Sequence, residues 1–288
     1  MRLISKLGIL GTAFMASGFA MAQDGYNGPK DGAIGFQESA TPVMDTLIGF
    51  HDGFVFPIIV AITIFVLALM VFIMVRFNEK ANPVPSKTTH HVGLEIVWTI
   101  VPVLILLVMV VPSMKLLYMQ DRLPETDMTI KVTGNTWYWS YEYPELADQV
   151  SGFDSLLLEK ADAEAAGKPY LLAADTPLVV PVDTKVKVLV TSNNNLHSFA
   201  VPAFGVKMDA VPGRLNETWF QVHPGKEGTY YGQCSELCGV RHAYMPIEVK
   251  VVSKNEFNRW VANGGSFTAQ TAQADVQILP AATTAAPK

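Results

Sequence analysis

Two long apolar segments lie in the first half of the chain, at residues 54–75 and 94–118. The first contains no charged residue, and the second contains only Glu95 near its start and Lys115 near its end. A helix that spans a bilayer needs about 20 mostly apolar residues, and both segments are long enough. The pattern therefore predicts a transmembrane helix hairpin over residues 53–118. The predicted helices occupy about 53–76 and 94–118.

The loop between the two predicted helices, residues 77–93, carries mainly positive charge. Arg76, Lys80 and Lys87 stand in or beside it against Glu79. Lysine and arginine prefer the cytoplasmic side of a membrane. We therefore expect this loop in the cytoplasm and both long ends of the chain in the periplasm.

Residues 1–22 are predicted to be a secretory signal peptide. Arg2 and Lys6 precede an apolar run that ends in a small-x-small cleavage pattern at residues 20–22. An uncleaved membrane anchor is the alternative, but the run is short for one. Cleavage would leave residues 23–52 as a periplasmic lead-in to the hairpin, in agreement with the charge of the loop.

Beyond about residue 123 the pattern changes to short segments in which apolar and polar residues alternate. Residues 128–143 are rich in β-branched and aromatic side chains, and residues 185–190 and 247–251 alternate with a period of two. Many short strands of this kind predict a β-sandwich or barrel, here over residues 123–262.

A short helix is predicted at the end of this domain. Ser253 and Glu256 form a capping box at its start, and Gly264 and Gly265 would stop it. Residues 263–288 are largely Ala, Thr, Gln and Pro, and they are predicted to form a disordered tail because they lack the apolar content needed to pack. The predicted fold class is α + β, a two-helix transmembrane hairpin followed by an all-β domain.

The composition agrees with a membrane-anchored protein. Half of the 288 residues are apolar and only 16% are charged. The net charge of −5 argues against a nucleic-acid partner and suits a basic one. Two cysteines are too few for a disulfide framework, so their purpose has to be sought in their surroundings.

Both cysteines lie in one stretch that also holds other metal-binding side chains. Cys234 and Cys238 are followed by His242 and Met245, and His197 lies far upstream, just after the alternating segment. One histidine from an early strand end and a Cys-His-Met set from a late loop resemble a cupredoxin. Thiolate, imidazole and thioether ligands together favour copper.

The second thiolate changes the number of metal ions expected. A mononuclear blue-copper site needs one thiolate, two imidazoles and a weak methionine ligand. Two thiolates can each bridge two ions, and each ion then needs one histidine and one weak ligand. His197 and His242 supply the histidines, and Met245 and a backbone carbonyl, that of Glu236, supply the weak ligands.

Simpler interpretations of the two cysteines leave residues unexplained. A disulfide is permitted in the periplasm but gives His197, His242 and Met245 no role. Structural zinc bound by two cysteines and two histidines gives Met245 no role and more often uses paired short spacings. The remaining histidines have no thiolate nearby and are interpreted as surface or interfacial residues: His51, His90, His91 and His223.

The motif Cys-Ser-Glu-Leu-Cys-Gly-x-x-His-x-x-Met at residues 234–245 resembles the CuA loop, the two-copper loop, of cytochrome c oxidase subunit II. The resemblance extends to residues 95–102, 134–143 and 207–214 and so covers the chain from the first membrane helix to the capped helix. It implies a cupredoxin-like domain on a membrane hairpin. It also implies a function: subunit II of a bacterial haem-copper oxidase, which takes electrons from cytochrome c and passes them to haem in subunit I, where oxygen is reduced to water.

The resemblance implies roles for individual residues. The implied ligands of copper A are His197, Cys234, Glu236 through its carbonyl, Cys238, His242 and Met245. The side chain of Glu236 would reach a Mg²⁺ ion shared with subunit I, which suits a carboxylate; an orienting hydrogen bond is the alternative. Trp137, in a run of aromatic residues that otherwise suits a core strand, would be the point where electrons enter from cytochrome c.

Three further residues match the family outside the copper loop. Glu95 matches a glutamate at the mouth of a proton-uptake path into subunit I, although a glutamate at a helix start could simply reach the membrane interface. Asp209 and Arg214 are interpreted as an interface with subunit I, for which a salt bridge within a β-turn is an equally good account.

Eight acidic residues against two lysines occupy residues 142–175. Such a run is usually a solvated face, but it could also steer a basic cytochrome c. Glu142, Glu145 and Asp148 are therefore predicted to contribute to docking. Asn193 and Asn194 stand where some relatives carry acids, so these two positions are poor docking candidates here.

The expected partners are subunits I and III of the oxidase, cytochrome c and membrane lipid, with the chain in the bacterial inner membrane. No Cys-x-x-Cys-His motif is present, so the donor is expected to be a separate protein. Three rivals stay open: a quinol-oxidase subunit without copper, a protein related to nitrous oxide reductase, and a stand-alone copper carrier. The complete ligand set argues against the first and the two membrane helices against the second, whereas copurification with a haem protein would exclude the third.

Overall fold

The computed structural model describes residues 26–267. The predicted signal peptide at residues 1–22 lies outside the described residues. Of the predicted tail at residues 263–288, residues 268–288 lie outside them.

Two long apolar helical segments form the predicted hairpin. The helices of the described part of the chain are α1 (Pro42–Phe50), α2 (Phe56–Arg76), α3 (Val92–Asp121), α4 (Lys160–Ala165) and α5 (Lys254–Ala262). A π-helical turn at His51–Val55 joins α1 to α2 without a break. The continuous helix Pro42–Arg76 and helix α3 are both long and apolar enough to cross a membrane. Their large apolar side chains point outward, as a helix in lipid requires.

The first helix begins at Pro42, well before the position near residue 53 that hydropathy indicated. Hydropathy misses the added turns because Asp45, His51 and Asp52 lie in them. Thr41 caps the helix: its hydroxyl oxygen accepts the Met44 N–H at 3.2 Å and donates to the Phe204 carbonyl at 2.8 Å. The start of the helix is thereby fixed to the β-domain.

The second membrane helix is also connected to the β-domain. The Trp219 indole N–H donates to the Met119 carbonyl at 3.2 Å, and the Gln120 amide donates to the Gly205 carbonyl at 3.4 Å. These contacts lie at the end of α3, so the β-domain follows the hairpin with little intervening chain.

The β-domain consists of two sheets. The strands are β1 (Tyr26–Asn27), β2 (Met128–Asn135), β3 (Tyr138–Glu142), β4 (Phe153–Ser155), β5 (Leu178–Pro181), β6 (Val186–Ser192), β7 (His197–Val201), β8 (Val206–Ala210), β9 (Asn216–Phe220), β10 (Gly228–Cys234) and β11 (Pro246–Val252). One sheet has the order β5-β11-β10-β7-β8, with β1 paired to β10, and the other has the order β4-β3-β2-β6-β9. The predicted all-β domain is confirmed.

A single core fills the space between the sheets. In β6, Val186, Val188 and Val190 are buried while the residues between them are partly exposed, which is the predicted period of two. In the aromatic run at residues 137–143, the side chains of Trp139 and Tyr141 of β3 are fully buried. Most of that run is therefore core, as the simpler interpretation of its aromatic residues expected.

Helix α5 has the predicted cap. The Ser253 hydroxyl oxygen accepts the Glu256 backbone N–H at 3.2 Å. The helix ends where the N–H groups of Gly264 and Gly265 turn back to the carbonyls of Val261 and Trp260. Its buried side chains close one side of the core.

A buried ion pair holds the segment around α4 against the sheet. Glu248 of β11 is only 2% exposed, and its carboxylate accepts the Lys168 ammonium at 2.7 Å and the Ala174 backbone N–H at 2.8 Å. A buried carboxylate is tolerated only with such partners. The acidic segment that includes α4 is therefore fixed at this point.

We expect Lys168→Ala to lower the free energy of unfolding, because it leaves the Glu248 carboxylate buried without its cation. Breaking a buried pair costs about 3–5 kcal/mol. Because the Lys168 side chain is 34% exposed, water can solvate the Glu248 carboxylate in the variant and offset part of this cost. We therefore expect a loss of about 1–3 kcal/mol in the free energy of unfolding. Thermal unfolding of the full chain in detergent, followed by near-ultraviolet circular dichroism, measures the loss.

Lys160→Ala is the matched control. Lys160 pairs with Glu164 at 3.8 Å, and both side chains are 67% exposed, so its removal should cost at most about 0.5 kcal/mol. Equal losses in the two variants would contradict the role given to Glu248.

Candidate metal centre

His197 is the first residue of β7 and is completely buried. Its ring lies against the edge of the Trp139 indole, with the ring centres 6.0 Å apart. On another side the ring meets the backbone of Gly134 in β2. The histidine is therefore held between the two sheets and not in a mobile loop.

The two cysteines lie at the end of β10 and in the loop that follows it. Their sulfurs are 3.9 Å apart, and both are free thiols with little exposure, 6% for Cys234 and 2% for Cys238. A disulfide requires a sulfur–sulfur distance of about 2.05 Å, so this arrangement is not a disulfide.

Four other groups surround the two thiol sulfurs. The Cys238 sulfur lies 3.5 Å from the His242 Nδ1 atom and also 3.5 Å from the Met245 sulfur. The Glu236 carbonyl oxygen lies 3.3 Å from the Cys234 sulfur. The His197 Nδ1 atom completes the set at 3.8 Å from the Cys234 sulfur.

We call these six groups the donor cluster. They are the Nδ1 atoms of His197 and His242, the sulfurs of Cys234, Cys238 and Met245, and the carbonyl oxygen of Glu236. The donor atoms of His197, Cys234 and Cys238 all lie within 4.8 Å of one another.

The donor cluster fits copper. Metal–thiolate bonds of about 2.3 Å can link one ion to both sulfurs, since two such bonds span up to about 4.6 Å. Soft sulfur donors with imidazole are the ligands that copper prefers. The burial of the cluster limits the access of water to a bound ion.

Burial also determines the protonation of the metal-free cluster. It lowers the pKa of His197, and the nearby His242 lowers it further. Burial raises the pKa of the Cys238 thiol to about 12, with the neighbouring Cys234 adding to the rise. The imidazole is thus ready to act as a donor, whereas thiols lose their protons when a metal binds.

Trp137 is directly connected to the donor cluster. Its indole N–H donates to the Cys238 carbonyl at 3.2 Å, and the side chain is half-buried. Gly239 makes this possible, because a Cβ there would lie 3.2 Å from the indole ring and the residue has a φ of +118°, which favours glycine. The ring therefore lies between the surface and the cysteine loop.

The three predicted docking acids lie at the other end of the β2–β3 hairpin from Trp137. Glu142 pairs with Lys131 at 2.7 Å, and the two residues are opposite one another in the hairpin. Along a strand, Glu142 is roughly 16 Å from Trp137. Glu145 and Asp148 follow in the next turn and are exposed.

The remaining predicted residues lie outside the donor cluster. Glu95 is in the first turn of α3, and the Glu236 side chain is half-buried. Asp209 and Arg214 are both exposed, and no ion pair between them exists in the described part of the chain. A salt bridge within the turn is thus not what holds them.

The other four histidines have partners away from the thiols. His51 pairs with Asp52 and His223 with Asp45, each at 2.8 Å. The His91 ring accepts the Leu94 N–H at the start of α3, and His90 contacts Thr89.

Two kinds of supporting residue have no clear signal in the sequence. Gly134 leaves room for the His197 ring. The signal in the sequence that could have indicated this is a glycine inside a strand of β-branched residues. Asn194 and Asn195 contact the donor cluster through their side chains. The sequence pattern marks Asn194 only as a position where docking acids are missing.

Gly134→Ala should weaken copper binding. A Cβ at this position would lie 2.9 Å from the His197 Cδ2 atom and 3.1 Å from its Cβ and Cγ, so the ring must move. We expect copper affinity to fall about 10–100-fold, as for other changes to the groups that orient a ligand. Competition with a copper chelator measures it. Gly152→Ala, whose Cβ would meet the flexible Glu142 side chain, is the control and should bind copper normally.

The fold and the site define a membrane-anchored cupredoxin-like domain with a buried cluster of two thiols, two imidazoles and a thioether. Family profiles match both parts: the cytochrome c oxidase subunit II transmembrane domain over residues 29–116 and its periplasmic domain over residues 128–252. The chain belongs to the cytochrome c oxidase subunit II family and is a subunit of that haem-copper terminal oxidase.

Individual relatives agree with the profiles. The chain is 46% identical over 241 residues to a probable cytochrome c oxidase subunit 2 of Rickettsia bellii, covering 84% of this chain and 87% of the relative. It is 47% identical over 255 residues to cytochrome c oxidase subunit 2 of Cereibacter sphaeroides, covering 83% of each. The crystal structure of the periplasmic domain of subunit II of a cytochrome oxidase of Bradyrhizobium japonicum is 50% identical, covers 50% of this chain and 96% of that chain, and has a TM-score of 0.45.

Proposed function

We propose that the donor cluster holds two copper ions as a CuA centre. In this proposal the chain carries electrons from cytochrome c to haem in subunit I, where oxygen is reduced to water. When bound, the copper pair would supply the one-electron chemistry, and it would be held by His197, Cys234, the Glu236 carbonyl, Cys238, His242 and Met245.

The pairing of each sulfur with a different imidazole is the observation that carries this proposal. The Cys234 sulfur is next to His197, and the Cys238 sulfur is next to His242. Each of two ions could then have its own histidine while sharing both thiolates. A mononuclear site leaves one thiolate without a purpose, and a zinc site leaves the buried Met245 sulfur without one.

We further propose that electrons enter through Trp137. Its ring reaches from the surface to the loop, and its N–H bonds directly to the carbonyl of a cysteine in the donor cluster. Strands β7 and β10 carry His197 and Cys234, and the burial of these two side chains would limit their movement when the charge of the centre changes.

The predicted docking acids would attract cytochrome c from a distance, and they would not contact it at Trp137. Glu142, Glu145 and Asp148 are exposed on the same domain but at the far end of the hairpin. Long-range attraction of a basic cytochrome c, which weakens with salt, suits that distance.

The other roles remain proposals that follow from family membership. The Glu236 side chain would bind Mg²⁺ at the boundary with subunit I, where Asp209 and Arg214 would also lie. Glu95 would stand at the mouth of the proton-uptake path. The charge of the loop between the helices supports a periplasmic β-domain in the bacterial inner membrane, and subunit III, too, is a proposed partner.

Met245→Leu should retain copper but change the properties of the centre. The Met245 sulfur is fully buried next to Cys238, and leucine has a similar volume, so the fold should lose less than about 1.5 kcal/mol. Loss of the weak ligand should shift the midpoint potential and slow electron transfer, as a redox titration and rapid kinetics measure. Met208→Leu, on a neighbouring strand outside the cluster, is the control. An unchanged potential would contradict the ligand role of Met245.

Rapid mixing tests the proposed electron path. Reduced cytochrome c is mixed with the intact oxidase, and the absorbances of cytochrome c, of the copper centre and of the haem are followed together. We expect the copper absorbance to change before that of the haem. Reduction of the haem without an earlier copper phase would contradict it, as would electron transfer from quinol and none from cytochrome c.

A further inference from the structure

Asn194 lies immediately before the buried histidine of the donor cluster and contacts it. The side-chain oxygen of Asn194 is 3.2 Å from the Nε2 atom of His197. The opposite ring nitrogen, Nδ1, faces the Cys234 sulfur at 3.8 Å. The two nitrogens of this ring thus have different neighbours, one an amide and the other a thiol.

The second contact of Asn194 identifies which of its side-chain atoms faces the ring. The Asn195 backbone N–H donates to the same Asn194 Oδ1 atom at 2.8 Å. A backbone N–H can only donate, so this atom is the amide oxygen and not the nitrogen. An amide oxygen can only accept, so the Nε2 atom of His197 must carry the proton.

We infer that Asn194 is a positioning residue that fixes His197 in the Nε2–H tautomer and so presents the Nδ1 lone pair to the metal. Asn194 touches neither a substrate nor a metal and acts through the histidine. The part of this inference that concerns copper rests on the proposed function, whereas the tautomer does not.

The loop that carries Asn194 is held tightly enough for this purpose. The Asn194 N–H faces the Ser192 hydroxyl at 3.3 Å. The Asn195 side chain accepts the Leu196 N–H at 2.8 Å and donates to the Cys238 carbonyl at 3.3 Å. The same short loop therefore contacts both sides of the donor cluster.

Because the Asn194 side chain is uncharged, it should also affect the midpoint potential of the centre. A carboxylate hydrogen-bonded to a ligand histidine raises the basicity of the ring and favours the more positive, oxidised metal. An amide gives the orientation without that charge. We expect the centre of this chain to have a higher midpoint potential than the same centre with an acid at residue 194.

The test uses the full chain in detergent with ring-¹⁵N histidine, in its wild-type form and as Asn194→Ala, Asn194→Asp and Asn193→Ala. Nuclear magnetic resonance of the copper-free protein reports the tautomer of His197, with His197→Ala identifying its signals. Chelator competition then gives copper affinity, and redox titration gives the midpoint potential. Asn193 is the matched control because its amide contacts Asn135 at 2.9 Å and not the histidine.

In the wild type and in Asn193→Ala we expect the Nε2–H tautomer and the same copper affinity. Asn194→Ala should lose that tautomer preference and bind copper about 10–100-fold more weakly. Asn194→Asp should keep the tautomer and the copper but have a lower midpoint potential.

The Nε2–H tautomer and wild-type copper affinity in Asn194→Ala would overturn the inference. Equal effects in Asn193→Ala would assign the role to the loop as a whole and would overturn it too. A potential in Asn194→Asp at or above the wild type would overturn the part about charge. A wild-type chain that binds no copper would refute the proposed function, while the tautomers of the copper-free variants would still decide the role of Asn194.

Discussion

Cys234→Ser is expected to abolish the copper centre and oxidase turnover with it. A hydroxyl is a hard, weakly acidic donor that cannot replace a thiolate shared by two soft ions. Copper affinity should fall by more than about 10²-fold, beyond the 10–100-fold that the loss of an orienting group produces. Metal analysis of the purified oxidase measures the loss, and turnover with reduced cytochrome c follows it.

Ser235→Ala is the matched control for this variant. Ser235 is exposed, and its backbone N–H, which the substitution retains, donates to the Ser198 carbonyl at 3.0 Å. It should bind copper and turn over like the wild type. A Cys234→Ser chain that still holds two ions would contradict the bridging role of this thiolate.

The second large effect concerns Trp137. Trp137→Phe keeps an aromatic ring but removes the N–H that bonds to the Cys238 carbonyl. Electron transfer from cytochrome c should slow on the order of 10²-fold, the loss that a displacement of about 1 Å at a reacting group can cause. Copper content should not change, because no donor atom is removed. Rapid mixing with reduced cytochrome c measures the rate.

Trp98→Phe provides the control, since Trp98 lies in membrane helix α3 and points outward. Its rate should equal that of the wild type. Loss of copper in Trp137→Phe would show that the indole supports the site structurally, and an unchanged rate would exclude it as the path.

The fold was predictable from periodicity because each part has its own pattern. Long apolar runs predicted the two membrane helices, and alternation in β6 and β11 predicted buried strands. The start of the first helix was not predictable in this way. The turns at Pro42–Phe50 contain Asp45 and pack on the β-domain, and hydropathy does not report such contacts.

The donor types were predictable because five of the six donor groups lie within residues 234–245, and a loop of that length brings them together. The assignment of these residues as copper ligands stays a prediction. The contribution of Gly134 was not visible, because only the packing of the two sheets, with β2 in one and β7 in the other, brings its backbone to His197. Glu142 and Trp137 lie at opposite ends of one hairpin. This placement follows from the register of β2 and β3, which the sequence does not reveal.

The most direct test of the proposed two-copper centre is the copper content of the full-length chain, purified from membranes, together with its electron paramagnetic resonance spectrum. We predict two copper ions per chain and, in the oxidised form, one unpaired electron shared equally by two copper nuclei. A single copper, a spectrum with the spin on one nucleus, or zinc without a signal would contradict the shared thiolates of Cys234 and Cys238.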